Sequence, residues 1–180
     1  SDDCYWKLKS KIHSDDYATT VSHCNYLITD SIKRQMVSDI PICTFLSGGL
    51  DSSLVSSVVN RNLDGKKLNT YSFDFVGNDK NFKSNSFQVS RDRPYVDIMK
   101  DFLGSNHTYL ECNNENQINC LFKAVDARDM PCMADVESSM LYFCKLVSEK
   151  CRVTLTGECA DEIFGGYPWF HRSDMLNQCT

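Results

Sequence analysis

The sequence predicts an α/β fold, in which helices cover both faces of a mostly parallel sheet. Two observations support this prediction. Segments with apolar residues at helical spacing alternate along the chain with short apolar runs typical of buried strands. In addition, Gly48 and Gly49 lie between the first strand-like run and a helix-like segment. Such a glycine loop is typical of the carboxyl edge of a parallel sheet, where α/β proteins bind ligands.

The first half of the chain is predicted to contain two helices and two strands. Apolar residues recur at helical spacing over residues 21–36, which predicts the first helix. The run Ile40–Leu46 is the first predicted strand, and Leu54–Leu63 has one apolar face and is the second predicted helix. Leu68–Val76 alternates β-branched and aromatic residues with polar ones, which predicts the second strand.

The second half continues the alternation. Gly77–Ser90 is polar and is predicted to be a loop. Pro94 suits the first turn of a helix, and Met130–Met133 is predicted to be a turn between two helices. The remaining elements are, in order, a helix from Pro94 to Gly104, a strand over His107–Cys112, helices around residues 118–125 and 136–147, and a strand over Arg152–Thr156.

Length and composition indicate one soluble globular domain. The 180 residues are enough for about one domain, and we expect a single domain over residues 1–180 with its core at about residues 18–170. The chain is 42% hydrophobic and 24% charged, and no apolar run approaches the roughly 18 residues of a membrane span. The formal charge of −5 and the absence of a basic cluster argue against nucleic acid as a partner.

The cysteines indicate a reducing compartment. Ten cysteines are scattered along the chain, no C-x-x-C pair occurs, and the closest two are Cys144 and Cys151. This spacing indicates neither a zinc site nor a disulfide framework, so we expect free structural thiols in a cytoplasmic protein. The N-terminus is polar, without an initiating methionine or the apolar core of a signal peptide. We therefore expect the chain to be a piece of a longer protein.

The segment Ser47–Ser53, which follows the first predicted strand, has the features of a phosphate-binding loop. Paired glycines let the backbone approach an anion, and the first N–H groups of the following helix lack internal partners and favour negative charge. A Walker loop would carry a lysine here, but no lysine lies between Lys33 and Lys66. Asp51 fits this loop if magnesium lies between its carboxylate and a polyphosphate. The alternative is a serine-capped turn that only begins a helix.

A second group of polar residues follows the fourth predicted strand. The segment Gly157–Tyr167 brings three carboxylates to the same edge of the sheet as Asp51. These carboxylates would repel a polyphosphate unless a cation lay between them or one acted as a base. Asp161 is therefore the candidate metal ligand and Glu158 the candidate base. The alternative is an acidic helix N-terminus that the helix dipole alone would favour.

Together, Phe45–Ser53 and Thr156–Tyr167 closely resemble the synthetase domain of glutamine-dependent asparagine synthetases, which belong to the ATP-pyrophosphatase superfamily. The resemblance extends from about Tyr5 to about Phe170. It implies an adenine-nucleotide α-hydrolase-like fold. It also implies that ATP activates the β-carboxylate of aspartate as an acyl-adenylate with loss of pyrophosphate, and that ammonia then displaces AMP.

The resemblance further implies a set of ligand-binding residues. Those expected to hold pyrophosphate with magnesium are Ser47, Gly48, Gly49, Asp51 and Ser52. Those expected to meet adenosine, mainly through the backbone, are Leu46 and Phe75. After the fourth strand, Gly157 would lie against the adenylate beside Thr156, Glu158 would assist ammonia attack or adenylation, and Asp161 would hold magnesium.

This chain departs from the family pattern in two places. The family usually has Ser where Thr156 stands and Gly-Ser where Cys159-Ala160 stand, so the second exchange removes a hydroxyl and adds a thiol. A relative that closes β-lactam or other amide rings is therefore a competing hypothesis. A second competing hypothesis is a GMP-, NAD- or tRNA-modifying ligase that releases pyrophosphate, and a third is a nucleotide-binding module without catalysis.

Two parts of the family architecture lie outside the resemblance. A glutaminase domain, the ammonia source, precedes the matching region in the same polypeptide, and a catalytic lysine follows it. We therefore expect the 180-residue chain to bind ATP with little or no turnover. The resemblance is compatible with a homo-oligomer.

Overall fold

The computed structural model describes residues 4–84, 90–131 and 133–173. Its helices and strands are, in chain order, α1 (Tyr17–Gln35), β1 (Ile42–Phe45), α2 (Leu50–Arg61), β2 (Asn69–Phe75), α3 (Asn78–Asn81), α4 (Arg93–Leu103), β3 (Asn106–Cys112), α5 (Asn114–Arg128), α6 (Ala134–Ser148), β4 (Val153–Leu155) and α7 (Ala160–Phe164), followed by a 3-10 turn at Pro168–Phe170. Each predicted helix and strand is present, with shifted ends.

The four strands form one parallel sheet in the order β3-β2-β1-β4. In the register, Thr44 of β1 pairs with Thr70 of β2 and Leu155 of β4, and Thr70 pairs with His107 of β3. The chain first adds strands on one side of β1 and then returns to place β4 on the other side. With right-handed connections, this reversal puts the later helices on the opposite face of the sheet.

Helices pack on both faces, as the sequence predicts. On one face, Ile32 of α1 and Val59 of α2 pack against strand residues such as Ile42. Helix α4 lies on the same face, where Val96 packs with Leu46. On the other face, Val147 of α6 packs against alternate residues of the strands, among them Cys43, Tyr71 and Phe73. Because β1 is covered on both sides, its residues Ile42, Cys43 and Thr44 are all buried.

Local signals in the sequence fix the ends of several helices. The Asp16 carboxylate accepts a hydrogen bond from the Thr19 backbone N–H at 2.7 Å and caps α1, and Asn113 caps α5 in the same way. Pro94 lies in the first turn of α4, and Gly104 ends that helix in the left-handed conformation. The elements therefore begin and end where side-chain acceptors, proline or glycine favour it.

Two of the differences between the predicted and the observed segments involve proline or glycine. The first strand spans Ile42–Phe45 rather than Ile40–Leu46, because Pro41 has no N–H to donate to a neighbouring strand. The predicted loop Gly77–Ser90 contains the one-turn helix α3, which Gly77 precedes in the left-handed conformation. Residues 85–89 of that loop, and Cys132 in the predicted turn Met130–Met133, lie outside the described residues.

The cysteines in the described part of the chain are free thiols. Cys43, Cys112 and Cys151 are buried, and burial raises the pKa of the Cys43 thiol to about 12. Cys43 Sγ also lies 3.1 Å from Thr154 Oγ1. The Cys43 thiol therefore stays protonated, and all three buried cysteines serve as small apolar side chains. Over the same residues, none of the helices combines the length and the apolarity that a membrane crossing requires.

Candidate active site

The site lies at the carboxyl edge of the sheet, between β1 and β4. Helix α2, which follows β1, packs on one face of the sheet, and α6, which precedes β4, packs on the other. The strand order β3-β2-β1-β4 therefore reverses between β1 and β4, and open parallel sheets bind ligands in the crevice at such a reversal. The loop after β1 and the segment after β4 both enter this crevice.

The loop after β1 is held by its own hydroxyl groups. Ser52 Oγ lies 2.9 Å from Ser47 Oγ, accepts from the Ser47 backbone N–H at 3.2 Å and donates to the Gly49 carbonyl at 3.2 Å. Gly49 is the N-cap of α2 and provides no side-chain cap. The first N–H groups of this 12-residue helix therefore face the crevice end of the sheet without a side-chain acceptor.

Gly157 brings the two motifs into contact. A methyl group on Gly157 would lie 2.8 Å from Asp51 Cβ and 2.9 Å from the Ser52 backbone nitrogen. The backbone after β4 thus lies directly against the first turn of α2, which no larger residue permits without displacement. The expected closeness of Asp51 to the acidic segment is present in the structure.

A cleft of about 520 Å³ opens over this contact. All but one of the predicted site residues line it, namely Leu46, Ser47, Gly49, Asp51, Ser52, Phe75, Thr156, Gly157, Glu158 and Asp161. The exception is Gly48, which lies beneath the loop with φ of +80° and contacts Tyr95 and Val96 of α4. Gly48 therefore shapes the loop from below, and its expected contact with pyrophosphate stays a prediction.

The two residues expected to meet adenosine differ in their surroundings. Leu46 is fully buried, and its N–H already donates to the Tyr71 carbonyl at 2.8 Å, so a nucleotide would have to use the Leu46 carbonyl. Phe75 at the end of β2 is 45% exposed, and its ring centroid lies 6.4 Å from that of Phe143. Beside them, the Thr156 hydroxyl accepts from the Glu158 N–H at 3.4 Å.

The acidic segment turns sharply into α7. Cys159 adopts the left-handed conformation with φ of 68°, and Gly166 N–H donates to the Asp161 carbonyl at 3.0 Å. The Asp161 carboxylate lies against Gly166, so a side chain there would displace it. Tyr167 donates its hydroxyl to Glu162 Oε1 at 2.9 Å, and this hydrogen bond raises the pKa of the Tyr167 phenol. Glu158 itself is exposed to the cleft.

The residues present fit a magnesium ion that a polyphosphate brings with it. In the described parts of the chain, no group of three or more His, Cys, Asp or Glu side chains is placed to form a complete metal site. Asp51 and Asp161 nevertheless line the same cleft and supply hard oxygen donors. Magnesium in nucleotide sites is usually bound by one or two carboxylates together with phosphate oxygens and water.

Several cleft residues were not identified from the sequence. Asp74 lies at the end of β2, where its carboxylate accepts hydrogen bonds from the Phe75 N–H at 2.8 Å and from Asn78 Nδ2 at 2.7 Å, so it supports the turn into α3. Arg93 at the start of α4 also lines the cleft. Their positions in the sequence could have identified both residues. The end of a parallel strand and the start of the next helix lie at the same edge of the sheet, where ligands bind.

Comparison with known proteins agrees with this geometry. A family model described as asparagine synthase matches residues 23–180. The chain belongs to the asparagine synthase family. Its fold is accordingly the adenine-nucleotide α-hydrolase-like fold expected from the sequence, here with four parallel strands.

Individual members of the asparagine synthase family show how far the similarity extends. "Asparagine synthetase [glutamine-hydrolyzing] 3" of Bacillus subtilis is 44% identical over 95% of this chain and 28% of its own length. A putative glutamine-hydrolysing asparagine synthetase of Methanocaldococcus jannaschii is 31% identical over 91% of this chain and 30% of its own length. An asparagine synthetase of Oryza sativa is 32% identical over 79% of this chain and 24% of its own length. The chain thus spans less than a third of each of these relatives.

Proposed function

We propose that the complete gene product forms asparagine from aspartate, ATP and ammonia. ATP activates the β-carboxylate of aspartate as β-aspartyl-AMP and pyrophosphate leaves. Ammonia released from glutamine by a glutaminase domain then displaces AMP. The names of the relatives and the family to which the chain belongs support this proposal. A cytoplasmic location and the single-domain organisation of residues 1–180 are parts of the same proposal.

The observation that carries the proposal is the contact of Gly157 with Asp51 and Ser52. A phosphate loop alone is compatible with many nucleotide-binding proteins. Here the acidic segment after β4 lies against that loop, so one cleft contains anion donors, two candidate metal ligands and a candidate base. That combination suits the transfer of an adenylyl group to a carboxylate and the subsequent attack of an amine.

Each part of the cleft has a role in this reaction. The Ser47 and Ser52 hydroxyls and the first N–H groups of α2 bind the phosphates, after they exchange their present mutual hydrogen bonds for phosphate oxygens. Magnesium, held by Asp51 and Asp161, would neutralise phosphate charge. Adenosine lies toward the Leu46 carbonyl and Phe75.

In this proposal Glu158 acts in the second half of the reaction. The nitrogen of ammonia forms a bond to the β-carbonyl carbon, and the bond from that carbon to the AMP oxygen breaks. The attacking nitrogen must then lose a proton, and the Glu158 carboxylate is an acceptor within the cleft. Its exposure to the cleft leaves it able to reach the nitrogen.

The test is aspartate-dependent exchange of labelled pyrophosphate into ATP, measured on the complete gene product. We expect exchange by the wild-type protein and an approximately 1000-fold loss in Asp51→Asn, because the neutral amide is a poor magnesium ligand. Asp126→Asn is the matched control, since Asp126 is an exposed residue of α5 that does not line the cleft. This control should retain the wild-type rate.

Three different results would reject parts of the proposal. Exchange that requires a different carboxylic acid would exclude aspartate as the substrate and favour a relative that closes amide rings. Equal exchange in wild-type and Asp51→Asn proteins would exclude Asp51 from phosphate binding. Absence of ATP binding in calorimetry would reject the nucleotide site itself.

A further inference from the structure

The cleft has an unusual balance of charge. Six carboxylates line it, from Asp51, Asp74, Asp92, Glu158, Asp161 and Glu162. Arg93 is the one lysine, arginine or histidine among the described residues that line it. A polyphosphate in this cleft meets mostly negative side chains, so the position of the single guanidinium has a large effect on binding.

Arg93 lies on the side of the cleft where the phosphate loop is. It begins α4, and the first turn of α4 packs against that loop. A methyl group on Gly48 would lie 2.7 Å from Tyr95 Cβ and 2.8 Å from the Val96 backbone nitrogen. Arg93 is thus one helical turn or less from residues in direct contact with the loop. The acidic segment enters from β4, on the far side of β1 from β2 and β3.

The Arg93 guanidinium is held in place by an aromatic ring. Its Cζ lies 4.2 Å from the centroid of the Tyr109 ring, and Nη1 lies 3.5 Å from Glu111 Oε1. The Tyr109 hydroxyl donates to Asp97 Oδ1 at 2.5 Å, and Lys100 Nζ donates to the same oxygen at 2.6 Å. The ring is therefore tied to α4 through the carboxylate of Asp97.

This arrangement suits phosphate binding. A guanidinium stacked on a ring keeps its N–H donors in its own plane, where they match two oxygens of a phosphate. Among the described residues, Arg93 makes one side-chain hydrogen bond, the long one to Glu111. The Arg93 side chain is 46% exposed. The Arg93 residue also lines the cleft. The loop Ser47–Ser53 contains no lysine, so Arg93 provides the positively charged side chain on the loop side of the cleft.

We propose that Arg93 binds the outer phosphates of ATP and the pyrophosphate that leaves, in a two-point contact that the Tyr109 ring orients. This inference rests on the proposed function of the cleft as an ATP site. As the bond between the α-phosphorus and its bridging oxygen breaks, negative charge increases on the departing pyrophosphate. A guanidinium on the outer phosphates stabilises that charge.

The test compares three ligands by calorimetry on the complete gene product. The ligands are magnesium pyrophosphate, magnesium-ATP and AMP, which lacks the outer phosphates. In Arg93→Gln we expect the first two to bind at least about tenfold more weakly and AMP to bind within about twofold of wild type. Arg61→Gln is the matched control, since Arg61 is exposed at the end of α2, does not line the cleft and carries the same charge.

Arg93→Lys separates charge from geometry. It retains the positive charge but cannot make the planar two-point contact, so pyrophosphate should bind several-fold more weakly than to wild type. If Arg93→Gln does not fold, as judged by circular dichroism, Arg93→Lys decides the question. Wild-type affinity of a folded Arg93→Lys protein for pyrophosphate would overturn the two-point contact.

The outcomes distinguish this inference from the function on which it rests. Equal losses in Arg93→Gln and Arg61→Gln, or an equal loss for AMP, would overturn the assignment to the outer phosphates. If Arg93→Gln bound all three ligands normally and only its KM for aspartate in the pyrophosphate-exchange assay changed, Arg93 would instead be a carboxylate-binding residue. Failure of the wild-type protein to bind ATP and pyrophosphate would reject the ATP site, whereas normal binding by Arg93→Gln would reject the role of Arg93 alone.

Discussion

At the scale of single residues, Cys159 shows a departure from the family pattern that the backbone explains. The family usually has glycine at this position. The exchange of Gly-Ser for Cys159-Ala160 removes a hydroxyl group and adds a thiol. In the structure Cys159 has φ of 68° and precedes α7 without a side-chain cap. This conformation is favourable for glycine and costs a residue with a Cβ about 1 kcal/mol. The exchange therefore places strain in the backbone that connects Glu158 to Asp161.

We predict that Cys159→Gly raises the free energy of unfolding by about 0.5 kcal/mol, because relief of strain exceeds the entropy that glycine adds to the unfolded chain. Urea denaturation measures the change. Cys144→Gly is the matched control, and it should lower stability by about 0.3 kcal/mol, because Cys144 lies inside α6 and glycine has a lower helix propensity than cysteine. A destabilised Cys159→Gly protein would show that the turn accommodates cysteine without strain.

At the scale of elements, the phosphate loop depends on α4 as well as on α2. Gly48 has φ of +80° and lies against the backbone of α4, so the loop, α2 and α4 meet at one residue without a side chain. Gly65 also has φ of +80°, but nothing lies within 4 Å of the place where its side chain would be. The two glycines thus have the same conformation and different surroundings.

A comparison of Gly48→Ala with Gly65→Ala measures the contribution of α4 packing against the loop. Both Gly48→Ala and Gly65→Ala incur the cost of a positive φ, roughly 1 kcal/mol. Gly48→Ala also forces α4 away from the loop, and we predict that it is about 2 kcal/mol less stable than Gly65→Ala in urea denaturation. It should also bind magnesium-ATP more weakly. Equal stability of the two variants would mean that α4 can move away from the loop without cost.

At the scale of the whole molecule, stability depends on the contact between the sheet and α4. His107 of β3 lies beneath this helix, where its Nδ1 is 2.8 Å from Thr70 Oγ1 and its Nε2 is 3.0 Å from Ser72 Oγ. Burial, with a further contribution from the positive charge of Lys100, lowers the pKa of His107 from 6.5 to about 4. The imidazole is therefore neutral in the folded protein at neutral pH.

This depressed pKa predicts how folding stability changes with pH. Below about pH 6.5 the unfolded chain binds a proton at His107, whereas the folded protein does not until about pH 4. Stability is therefore fully present above pH 6.5 and falls as the pH decreases toward 4, by about 2 kcal/mol for this partly exposed group. Urea denaturation at about pH 7.5 and about pH 4.5 measures the loss.

Two variants assign the loss to His107. His107→Asn should show a smaller decrease between the two pH values, because the amide does not titrate. His23→Asn, at an exposed position of α1, should show the same decrease as wild type. A decrease in His107→Asn as large as that of wild type would assign the pH dependence to carboxylates instead.

The sequence predicted the order of elements and both site motifs because these depend on local patterns. Periodic apolar residues define α1, α2 and α4, and the glycines and carboxylates of the cleft are contiguous in two short segments. The start of β1 was less well predicted, since it depends on which N–H groups find partners in β2 and β4. Pro41 decided that boundary.

The sequence by itself determined the α/β class, the glycine-rich loop at Ser47–Ser53 that we expect to bind phosphate and the acidic segment after β4, because each depends on residues adjacent in the chain. Only the tertiary structure decided that Gly157 lies against Asp51, that Gly48 supports the loop from below and that Arg93 reaches the cleft. These facts depend on the strand order β3-β2-β1-β4 and on the packing of α4 against the loop. Both arise from contacts between residues far apart in the chain, which local pattern does not specify.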